Sequence, residues 1–342
     1  MIITFIYPEI DKKINSGGSF RIKQNIQILQ TMYDVNLIEI KSKKNFKNMI
    51  KYLSYLKSIY IKLKSSDIIF MEFPKFIFLV PFKSKLIYSA HNFETLLRWS
   101  FFKKSPSLGM LFNFILFFIT EYITLYRSNI VVSITDKLTQ QLSKIVKNKT
   151  ITLLPKPFEK INDYIIQDNL KYITVGSFDW KPNKEAYDIF VNKIVPLLNN
   201  FSNKERIFYF VGNNNDKVED LYIGNIKIKC LGYVESLNDI IKQIRSIIIP
   251  IYSGSGLKIK LLEAISYEVP VITTIKGAEG LEDYFDLLSP IKSYEEFANK
   301  IIEIDNYEIL EDDLSNIIKL KQKIKLDSNK NWNNLFKKIE EI

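Results

Sequence analysis

The sequence has 342 residues, of which 46% are hydrophobic and 25% are charged, a composition typical of a soluble globular chain with two domains. Its formal net charge of +10 comes from 48 lysines and arginines against 38 acidic residues, and it favours anionic partners such as nucleotides, nucleic acids or membrane surfaces. A single cysteine, Cys230, excludes an internal disulfide, and with a single histidine it leaves no cysteine and histidine cluster for a metal ion. We therefore expect a protein of the reducing cytoplasm.

The first half of the chain alternates strand and helix patterns. The apolar β-rich runs are "IITFIY", "VNLIEI", "DIIFME", "KLIYSA" and "NIVVSI". Helical patterns such as "SFRIKQNIQILQTM" separate these runs. This alternation predicts a parallel, doubly wound sheet. The start of the chain lacks a basic region before its apolar run, so it predicts a buried first strand rather than a signal peptide.

Two helical segments of this half raise the question of lipid contact. Residues 110–126, "MLFNFILFFITEYITLY", are interrupted by Asn113 and Glu121 and are short for a spanning helix, so we expect a core helix packed on a sheet. An interfacial anchor is the alternative. The lysine-rich segment 41–64 predicts an amphipathic helix with an apolar stripe of Met49, Leu53, Leu56 and Ile59 or Tyr60. Its basic face is expected to be solvated, with docking on anionic lipid as the alternative.

The second half restarts the alternation after a linker. Two prolines in "ITLLPKPFEK", residues 151–160, follow a strand-like run and mark the linker. The following strands are "KYITVGS", "IFYFVG", "IKIKCLGYV", "SIIIPIY" and "VPVITT", and helices are predicted from Asn183 to Leu198 and from Leu237 to Arg245. The expected domains are residues 1–155 and 156–325, with a last helix over 326–342 that crosses back to the first domain.

The segment "SGSGLKIKLLEA", residues 253–264, places a lysine where a helix disfavours one. If the helix begins near Leu257, Lys258 falls in the first turn and shares an arc with the apolar residues Leu261 and Leu262. Free amides and the helix dipole make positive charge unfavourable there, and a bound anion removes the conflict.

The same segment has the other features of a phosphate site. Gly254 and Gly256 permit close approach of the backbone, so the turn and Lys258 together predict a phosphate or diphosphate site. On spacing alone, Lys260 and Glu263 are expected to form an exposed pair on the outer side of the helix.

Two further segments leave predicted strands with polar residues and glycines. "YITVGSFDWKPN" supplies Ser177, Asp179, Trp180 and Lys181, and "VITTIKGAEGL" supplies Lys276, Gly277, Glu279 and Gly280. Because ligands in open α/β sheets bind beyond the carboxyl ends of strands, we expect three loops of this domain to converge on one edge.

The first domain offers two matching segments, "NSGGSFR" and "SAHNFE". Gly17 and Gly18 either approach a ligand or simply make the turn. His91, beside Asn92 and Glu94, is either a functional side chain at a strand end or a packed one, and the residues alone leave this open.

These blocks resemble a known family. "VGSFDWKPNKEAYDIFVNKIVPLL", "FVGNNN" and "LGYVESLNDIIKQIRSIIIPIYSGSGLKIKLLEAISYEVPVITTIKGAEGL" are similar to the nucleotide-sugar-binding domain of retaining GT-B glycosyltransferases of family four, the glycosyl transferases group 1 type. "SGGSFR" and "SAHNFE" match the weaker N-terminal signatures, so the resemblance covers about residues 1–290. It implies an α/β GT-B fold, in which two Rossmann-like doubly wound domains face a central cleft.

The implied activity is sugar transfer from a nucleotide diphosphate sugar to an acceptor hydroxyl. The resemblance implies retention of anomeric configuration, with no metal and no cofactor besides the donor substrate. The implied acceptor is a glycan, glycolipid or glycoprotein, as in polysaccharide assembly. The expected location is cytoplasmic with peripheral contact at the inner face of a membrane, and no specific nucleic acid partner is expected.

The resemblance also implies residue roles in the donor-binding domain. Lys258 pairs with the diphosphate beside the turn formed by Gly254, Ser255, Gly256 and Leu257, and Ser177 and Lys181 approach the same phosphates. Glu263 matches the second glutamate of the family's paired-glutamate motif, which holds the ribose hydroxyls. The first glutamate falls at Ser255, where this sequence departs from the pattern, so contact with the sugar is expected from Glu279 or from amides near Gly277.

In the first domain, His91 matches the histidine that contacts the transferred sugar. Gly18 lies in the loop that approaches the donor phosphate and the acceptor. Three other functions stay open: a GT-B fold nucleotide-sugar epimerase, an inactive nucleotide- or anion-binding protein, and a protein that binds nucleic acid or anionic lipid without specificity.

Overall fold

The structure is a computed structural model that describes residues 1–10, 17–42, 45, 47–158, 164–254 and 256–342. The chain divides into two compact units, each an α/β unit as predicted. The first unit consists of Met1–Pro155 together with Ser328–Ile342, and the second consists of Lys156–Asp327.

The described residues of the first unit form a six-stranded parallel sheet in the order β2-β1-β3-β4-β5-β6. Its strands are β1 (Ile2–Pro8), β2 (Asp34–Ile40), β3 (Ile68–Met71), β4 (Lys85–Ala90), β5 (Ile130–Ser133) and β6 (Thr150–Thr152). The sequence predicted the first five strands. The sixth, β6, has three residues and overlaps the strand-like run predicted just before the two prolines of the linker.

Helices cover both faces of this sheet. They are α1 (Gly17–Leu29), α2 (Met49–Lys64), α3 (Glu94–Lys104), α4 (Leu108–Arg127) and α5 (Asp136–Ser143). Ile59 of α2 and Leu125 of α4 belong to one apolar core. Ile22 of α1 belongs to the other, together with Trp332 and Leu335 near the end of the chain.

The second unit forms a six-stranded sheet among the described residues, in the order β12-β11-β7-β8-β10-β9. Its strands are β7 (Lys171–Val175), β8 (Arg206–Val211), β9 (Leu221–Ile223), β10 (Ile226–Gly232), β11 (Ser246–Ile249) and β12 (Val271–Thr273). All neighbours are parallel except β9, which runs antiparallel to β10. Because the chain builds outward from β7 first through β8 and then through β11, the order reverses between β7 and β11.

The helices of the second unit are α6 (Lys181–Ile189), α7 (Val195–Phe201), α8 (Asn238–Ile241), α9 (Ile259–Ser266), α10 (Phe285–Leu288) and α11 (Tyr294–Glu303). The last helix, α12 (Tyr307–Glu341), begins in this unit and ends in the first. A π-helical turn, Phe190–Ile194, joins α6 to α7, so the helix expected from Asn183 to Leu198 is present with a widened turn. The helix expected from Leu237 to Arg245 is much shorter, because Arg245 is turned inward and donates to the carbonyl oxygens of Gln167 and Ile304.

Both expectations for the lipid-like helices need correction. The expectation that 110–126 forms a core helix is wrong, since Thr120, Glu121, Thr124 and Leu125 are the buried residues of α4. This helix is long and apolar enough to cross a membrane by length and composition, and 22% of its most apolar window is buried. The stripe expected on α2 is confirmed at Ile59, which is buried together with Leu63, and is wrong at Met49 and Leu53, which are exposed.

Candidate functional site

Three loops of the second unit meet at one edge of its sheet. They follow β7, β11 and β12, which are parallel neighbours, so the expected convergence is confirmed. The end of β8 joins them, since the Gly176 amide donates to the Val211 carbonyl over 2.8 Å. A Cβ atom on Gly212 would collide with the Gly176 carbonyl group, so glycine is required for this close approach.

Lys258 is buried at the amino end of α9. The helix begins at Ile259 and Lys258 is its N-cap residue, with φ −90° and ψ 102°, so the predicted start near Leu257 was two residues early. The side chain turns back, and Nζ donates to the carbonyl oxygen of Gly256 over 2.7 Å. Lys258 is 4% exposed, and burial lowers the pKa of its ammonium group while the charge of Glu279 opposes this. A buried cation beside free helix amides is costly unless an anion lies next to it.

The anion beside Lys258 is the carboxylate of Glu279. Its Oε2 atom lies 3.5 Å from Nζ of Lys258 and 2.8 Å from Nζ of Lys276, so two ammonium groups share one carboxylate oxygen. The turn that carries Glu279 is fixed by the Gly277 amide, which donates to Oγ1 of Thr274 over 2.9 Å. The cluster has two ammonium groups and one carboxylate, so it keeps a net positive charge, which favours anionic oxygen atoms.

Lys260 enters the site instead of facing solvent. Its Nζ donates to Oδ1 of Asn183 and lies 5.7 Å from the centroid of the Trp180 ring. A Cβ atom on Gly176 would lie 2.5 Å from this Nζ, so the strand end and the lysine pack closely. Burial, with a smaller contribution from the charge of Lys258, lowers the pKa of Lys260 to about 7.

The expected exposed pair of Lys260 and Glu263 is therefore wrong for Lys260. Spacing alone could not reveal this, because the partners Trp180 and Asn183 come from a loop about eighty residues earlier. Glu263 lies half-buried in the second turn of α9, and its charge acts to raise the pKa of Lys260.

The glycine turn before α9 has the backbone conformation that only glycine adopts easily. Gly254 has φ +91° and Gly256 has φ +75°. A Cβ atom on Gly254 would lie 3.3 Å from atoms of Trp180 and of Pro182, so this turn packs on the start of α6. Leu257 is half-buried, and Ser255 lies outside the described residues.

Ser177 and Lys181 have protein partners of their own. The Ser177 hydroxyl lies 2.9 Å from Oδ2 of Asp179 and 3.1 Å from the carbonyl oxygen of Asn213, which ties the loops after β7 and β8 together. Lys181 has a side chain 85% exposed, with Nζ 3.4 Å from Oε1 of Glu185, which also accepts a hydrogen bond from Ser253. Lys258, Lys276 and Glu279 therefore form the cationic centre, with Ser177 and Lys181 in supporting loops.

The first unit carries a second polar cluster at the corresponding edge of its sheet. His91 directly follows β4, and its Nε2 lies 2.6 Å from Oε2 of Glu72, which directly follows β3. The other oxygen of Glu72 accepts from Nδ2 of Asn25 over 2.9 Å, and the imidazole stacks on Phe73 at 5.0 Å between ring centroids. Since the carboxylate accepts from Nε2, it orients the imidazole and assigns its proton to that nitrogen.

Arg21 completes this cluster from α1. It is 2% exposed, and its Nη1 donates over 2.9 Å to the carbonyl oxygen of Ala90, the residue before His91. Burial lowers the pKa of Arg21 to about 10, while the charge of Glu72 opposes the shift. Burial acts to raise the pKa of Glu72, but the interactions with His91, Arg21 and Asn25 outweigh it and hold that pKa below its usual value.

Sequence analysis selected His91 but missed Glu72, Asn25 and Arg21. A signal was present, since Glu72 ends the strand pattern "DIIFME" just as His91 follows "KLIYSA". Gly18 lies in the first turn of α1, three residues before Arg21. In the ranges that the structure describes, no group of three or more histidine, cysteine or acidic side chains is arranged to hold a metal ion.

The second half of the chain matches a known family in sequence. Residues 169–306 match the model of the family described as Glycosyl transferases group 1. No curated protein matches the chain in sequence.

Solved structures share the fold at low sequence identity. Anabaena Alr3699/HepE in complex with UDP and glucose has a TM-score of 0.62 and 11% identity, over 98% of this chain and 100% of that one. A glycosyltransferase from Rickettsia africae ESF-5 has a TM-score of 0.59 and 15% identity, over 99% of this chain and 98% of that one. TarM has a TM-score of 0.58 and 15% identity over 82% of this chain, which spans only 58% of the length of TarM.

The family match covers all three loops of the second unit, including Lys258, Lys260 and Glu279. The structural matches extend over nearly the whole chain. Residues 169–306 are thus similar to the Glycosyl transferases group 1 family, and the chain has the fold of the GT-B glycosyltransferases.

Proposed function

We propose that this protein is a retaining glycosyltransferase, which moves a sugar from a nucleotide diphosphate sugar to an acceptor hydroxyl. The observation that carries the proposal is the buried Lys258 at the amino end of α9, next to Lys276 and Glu279 and within the family match. A diphosphate is the ligand that this combination of cations, free amides and glycine turn suits best.

The proposed reaction uses these groups to stabilise the leaving group. As the bond to the sugar breaks, negative charge develops on the departing nucleoside diphosphate, and the ammonium groups of Lys258 and Lys276 lie where they can oppose it. Only an interaction that strengthens in the transition state raises the rate, and phosphate oxygens that gain charge meet this condition. Glu279, displaced from the lysines by phosphate, is then available to a sugar hydroxyl.

Retention is proposed to follow from attack on the face that the diphosphate leaves. A departing phosphate oxygen takes the proton of the acceptor hydroxyl, so the reaction needs neither a protein nucleophile nor a metal ion. In the first unit, His91 is proposed to contact the sugar, with its imidazole held by Glu72. In the second, Glu263 is proposed to hold the ribose hydroxyls.

The proposed setting is the cytoplasm, where nucleotide sugars are made, with a glycan, glycolipid or glycoprotein as acceptor. UDP is the first nucleotide to test, because HepE was solved in complex with UDP and with UDP-glucose. Polysaccharide assembly is the proposed role.

The test is a panel of nucleotides measured by thermal shift at fixed salt. UDP, GDP, ADP, CMP and dTDP are compared, each with its sugar conjugates, and one base is expected to stabilise the protein selectively. Lys258→Ala is expected to weaken that binding by about 1.5–3 kcal/mol, the range for a hydrogen bond to a charged group. Lys184→Ala, which removes an exposed lysine of α6, is the matched control.

A panel without a selective shift, or a shift that Lys258→Ala leaves unchanged, contradicts the proposed site. The selected donor then decides among reaction types. With an acceptor present, NMR of the product of a retaining transferase should show the same anomeric configuration as in the donor. Epimerisation of the donor in the absence of an acceptor would instead identify an epimerase. If the protein binds the donor but catalyses neither transfer nor epimerisation, it is an inactive binding protein.

A further inference from the structure

The hairpin of α3 and α4 presents an apolar surface that the fold leaves uncovered. The two helices pack on each other through Trp99 and Phe114, with ring centroids 5.0 Å apart. Outward from this contact, exposed apolar residues recur every three or four positions of α4 and continue on α3, and they include Leu96, Trp99, Leu108, Phe112, Ile115 and Ile119. Leu108 is 87% exposed and Phe112 is 69% exposed. A contiguous surface of this kind marks a contact site.

The buried residues of α4 keep this helix attached to the first unit. Both carboxylate oxygens of Glu121 accept backbone amides at the start of α3, from Glu94 over 2.9 Å and from Thr95 over 2.7 Å. The Thr124 hydroxyl lies 3.3 Å from the carbonyl oxygen of Pro74. These contacts hold the last two turns of α4 to the first unit, whereas its earlier turns pack on α3 and leave most of their apolar residues exposed. An apolar helix that is fixed at one end and exposed along its length suits a lipid interface.

Charge on this surface has a single sign. Residues 94–127, which form α3, α4 and the turn between them, contain four basic residues, Arg98, Lys103, Lys104 and Arg127. Their two acidic residues, Glu94 and Glu121, are both buried. The basic groups lie directly over aromatic rings, with Lys103 Nζ 5.3 Å from the Trp99 ring and Arg98 4.4 Å from the Phe117 ring. Apolar side chains bordered by cations complement an anionic bilayer, which offers phosphate above and hydrocarbon below.

The two helices also enclose a groove. It has a volume of about 310 Å³ and is lined by Arg98, Phe101, Lys104, Ser105, Met110 and Asn113. Its walls are mainly apolar, while Arg98 and Lys104 supply cations. An acyl chain with its phosphate at the basic side chains matches this arrangement better than a polar protein segment does.

We propose that the α3–α4 surface docks the protein on an anionic lipid bilayer, with the apolar side chains of both helices entering the interface and Arg98, Lys103 and Lys104 facing lipid phosphate. This proposal does not depend on the glycosyl-transfer chemistry, since none of its residues belongs to the Lys258 or His91 clusters. In the proposed orientation, α4 lies at the bilayer surface and is neither a core helix nor a spanning helix.

The test is co-sedimentation with vesicles of phosphatidylcholine, with and without phosphatidylglycerol. The wild-type protein is expected to sediment with the anionic vesicles. Lys103→Glu with Lys104→Glu is expected to weaken this binding about 30-fold or more, because each basic residue near an anionic surface contributes about fivefold. Phe112→Ser with Ile115→Ser removes apolar contact and is expected to weaken binding at high salt as well as at low salt.

The matched control reverses the charge of two exposed lysines in the second unit, Lys193→Glu with Lys319→Glu. It is expected to retain binding, and every variant is expected to keep the nucleotide thermal shift. Brominated lipids are expected to quench a fraction of the tryptophan fluorescence, and Trp99→Phe should remove that fraction. Absence of wild-type binding, equal loss in the control pair, or unchanged binding in both hairpin variants overturns the proposal. A concentration-dependent dimer that Phe112→Ser with Ile115→Ser dissociates, without vesicle binding, assigns the surface to a second copy of the chain instead.

Discussion

The Nζ atom of Lys258 lies 3.5 Å from the Oε2 atom of Glu279, and Nζ of Lys276 lies 2.8 Å from the same oxygen. One carboxylate therefore neutralises part of the positive charge that the proposed diphosphate would meet. A ligand phosphate and Glu279 compete for the same two ammonium groups, and this competition makes the site testable by charge substitution.

Glu279→Gln is expected to strengthen binding of the selected nucleoside diphosphate about fivefold, as for the removal of a charge interaction worth ~1 kcal/mol. The same variant is expected to lower turnover, because the proposed contact with the donor sugar loses its charge. Calorimetric titration and initial rates separate the two effects. A loss of affinity as large as that of Lys258→Ala would instead mean that Glu279 acts by holding the lysines in place.

Lys260 is expected to make stability depend on pH. Its pKa of about 7 in the folded protein is below the ordinary value of 10.5, so between these two values the unfolded chain binds more protons than the folded one. The free energy of unfolding should therefore rise with pH from about 7 to about 10.5 and fall as pH returns to 7. In Lys260→Met this contribution is absent. Urea unfolding of both proteins at neutral and at alkaline pH measures the difference.

The absence of such a difference between wild type and Lys260→Met would also be informative. It would show that Asn183 and the Trp180 ring keep Lys260 protonated within the folded protein. Lys184→Met, at an exposed position of α6, provides the control for the loss of a lysine.

His91→Ala is expected to lower kcat about 100-fold, the scale for loss of a group that stabilises the transition state, while nucleotide affinity stays unchanged. Glu72→Gln keeps a hydrogen-bond acceptor for Nε2 but removes the charge, so its loss of kcat should be smaller and should change with pH. Steady-state rates and nucleotide titration are the measurements. An unchanged kcat in His91→Ala removes this residue from the proposed reaction.

Glu121 is expected to stabilise the α3–α4 hairpin most at mildly acidic pH. Burial raises the pKa of Glu121 to about 7, although the hydrogen bonds from Thr95 and Glu94 oppose the shift. Between the ordinary value of 4.5 and about 7 the folded protein binds more protons than the unfolded chain, so its stability should rise as pH falls from 7 towards 4.5 and be lost above 7. Thermal unfolding of wild type and Glu121→Gln across this range measures the effect.

Removing the Glu121 side chain tests its role as a cap. Glu121→Ala leaves two buried amides of α3 without their acceptor and is expected to lower the free energy of unfolding by about 1–3 kcal/mol. Glu94→Ala breaks only the ion pair with Arg98 and is expected to cost less. Equal losses in the two variants would contradict the capping role.

Patterns among residues close together in the chain predicted much of the fold. Alternating strand and helix periods predicted two doubly wound units, and two prolines predicted the linker beside Pro155, where the units divide. The short strand β9 was missed, because three residues show no period. The convergence of three loops followed from parallel strand order, which places every strand's carboxyl end at one edge.

Single side-chain positions were harder to predict. Lys258 was selected because its charge conflicted with its place on the helix, and such a conflict is visible in the sequence itself. Lys260 was misjudged because its partners, Asn183 and Trp180, follow a different strand. Glu72 was missed because its place in the cluster depends on contact with His91, which follows the neighbouring strand.

The sequence by itself determined the periods of the helices and strands, the glycine turn before α9 and the excess of positive charge, since these depend on residues close together in the chain. Only the tertiary structure decided which side chains meet and which apolar faces stay uncovered. The apolar face of α4 is the clearest case: its composition fits a core helix, an interfacial helix or a spanning helix equally, and only the structure shows that its buried residues are confined to Thr120, Glu121, Thr124 and Leu125. Long-range packing sets burial, and burial is not encoded in any local period.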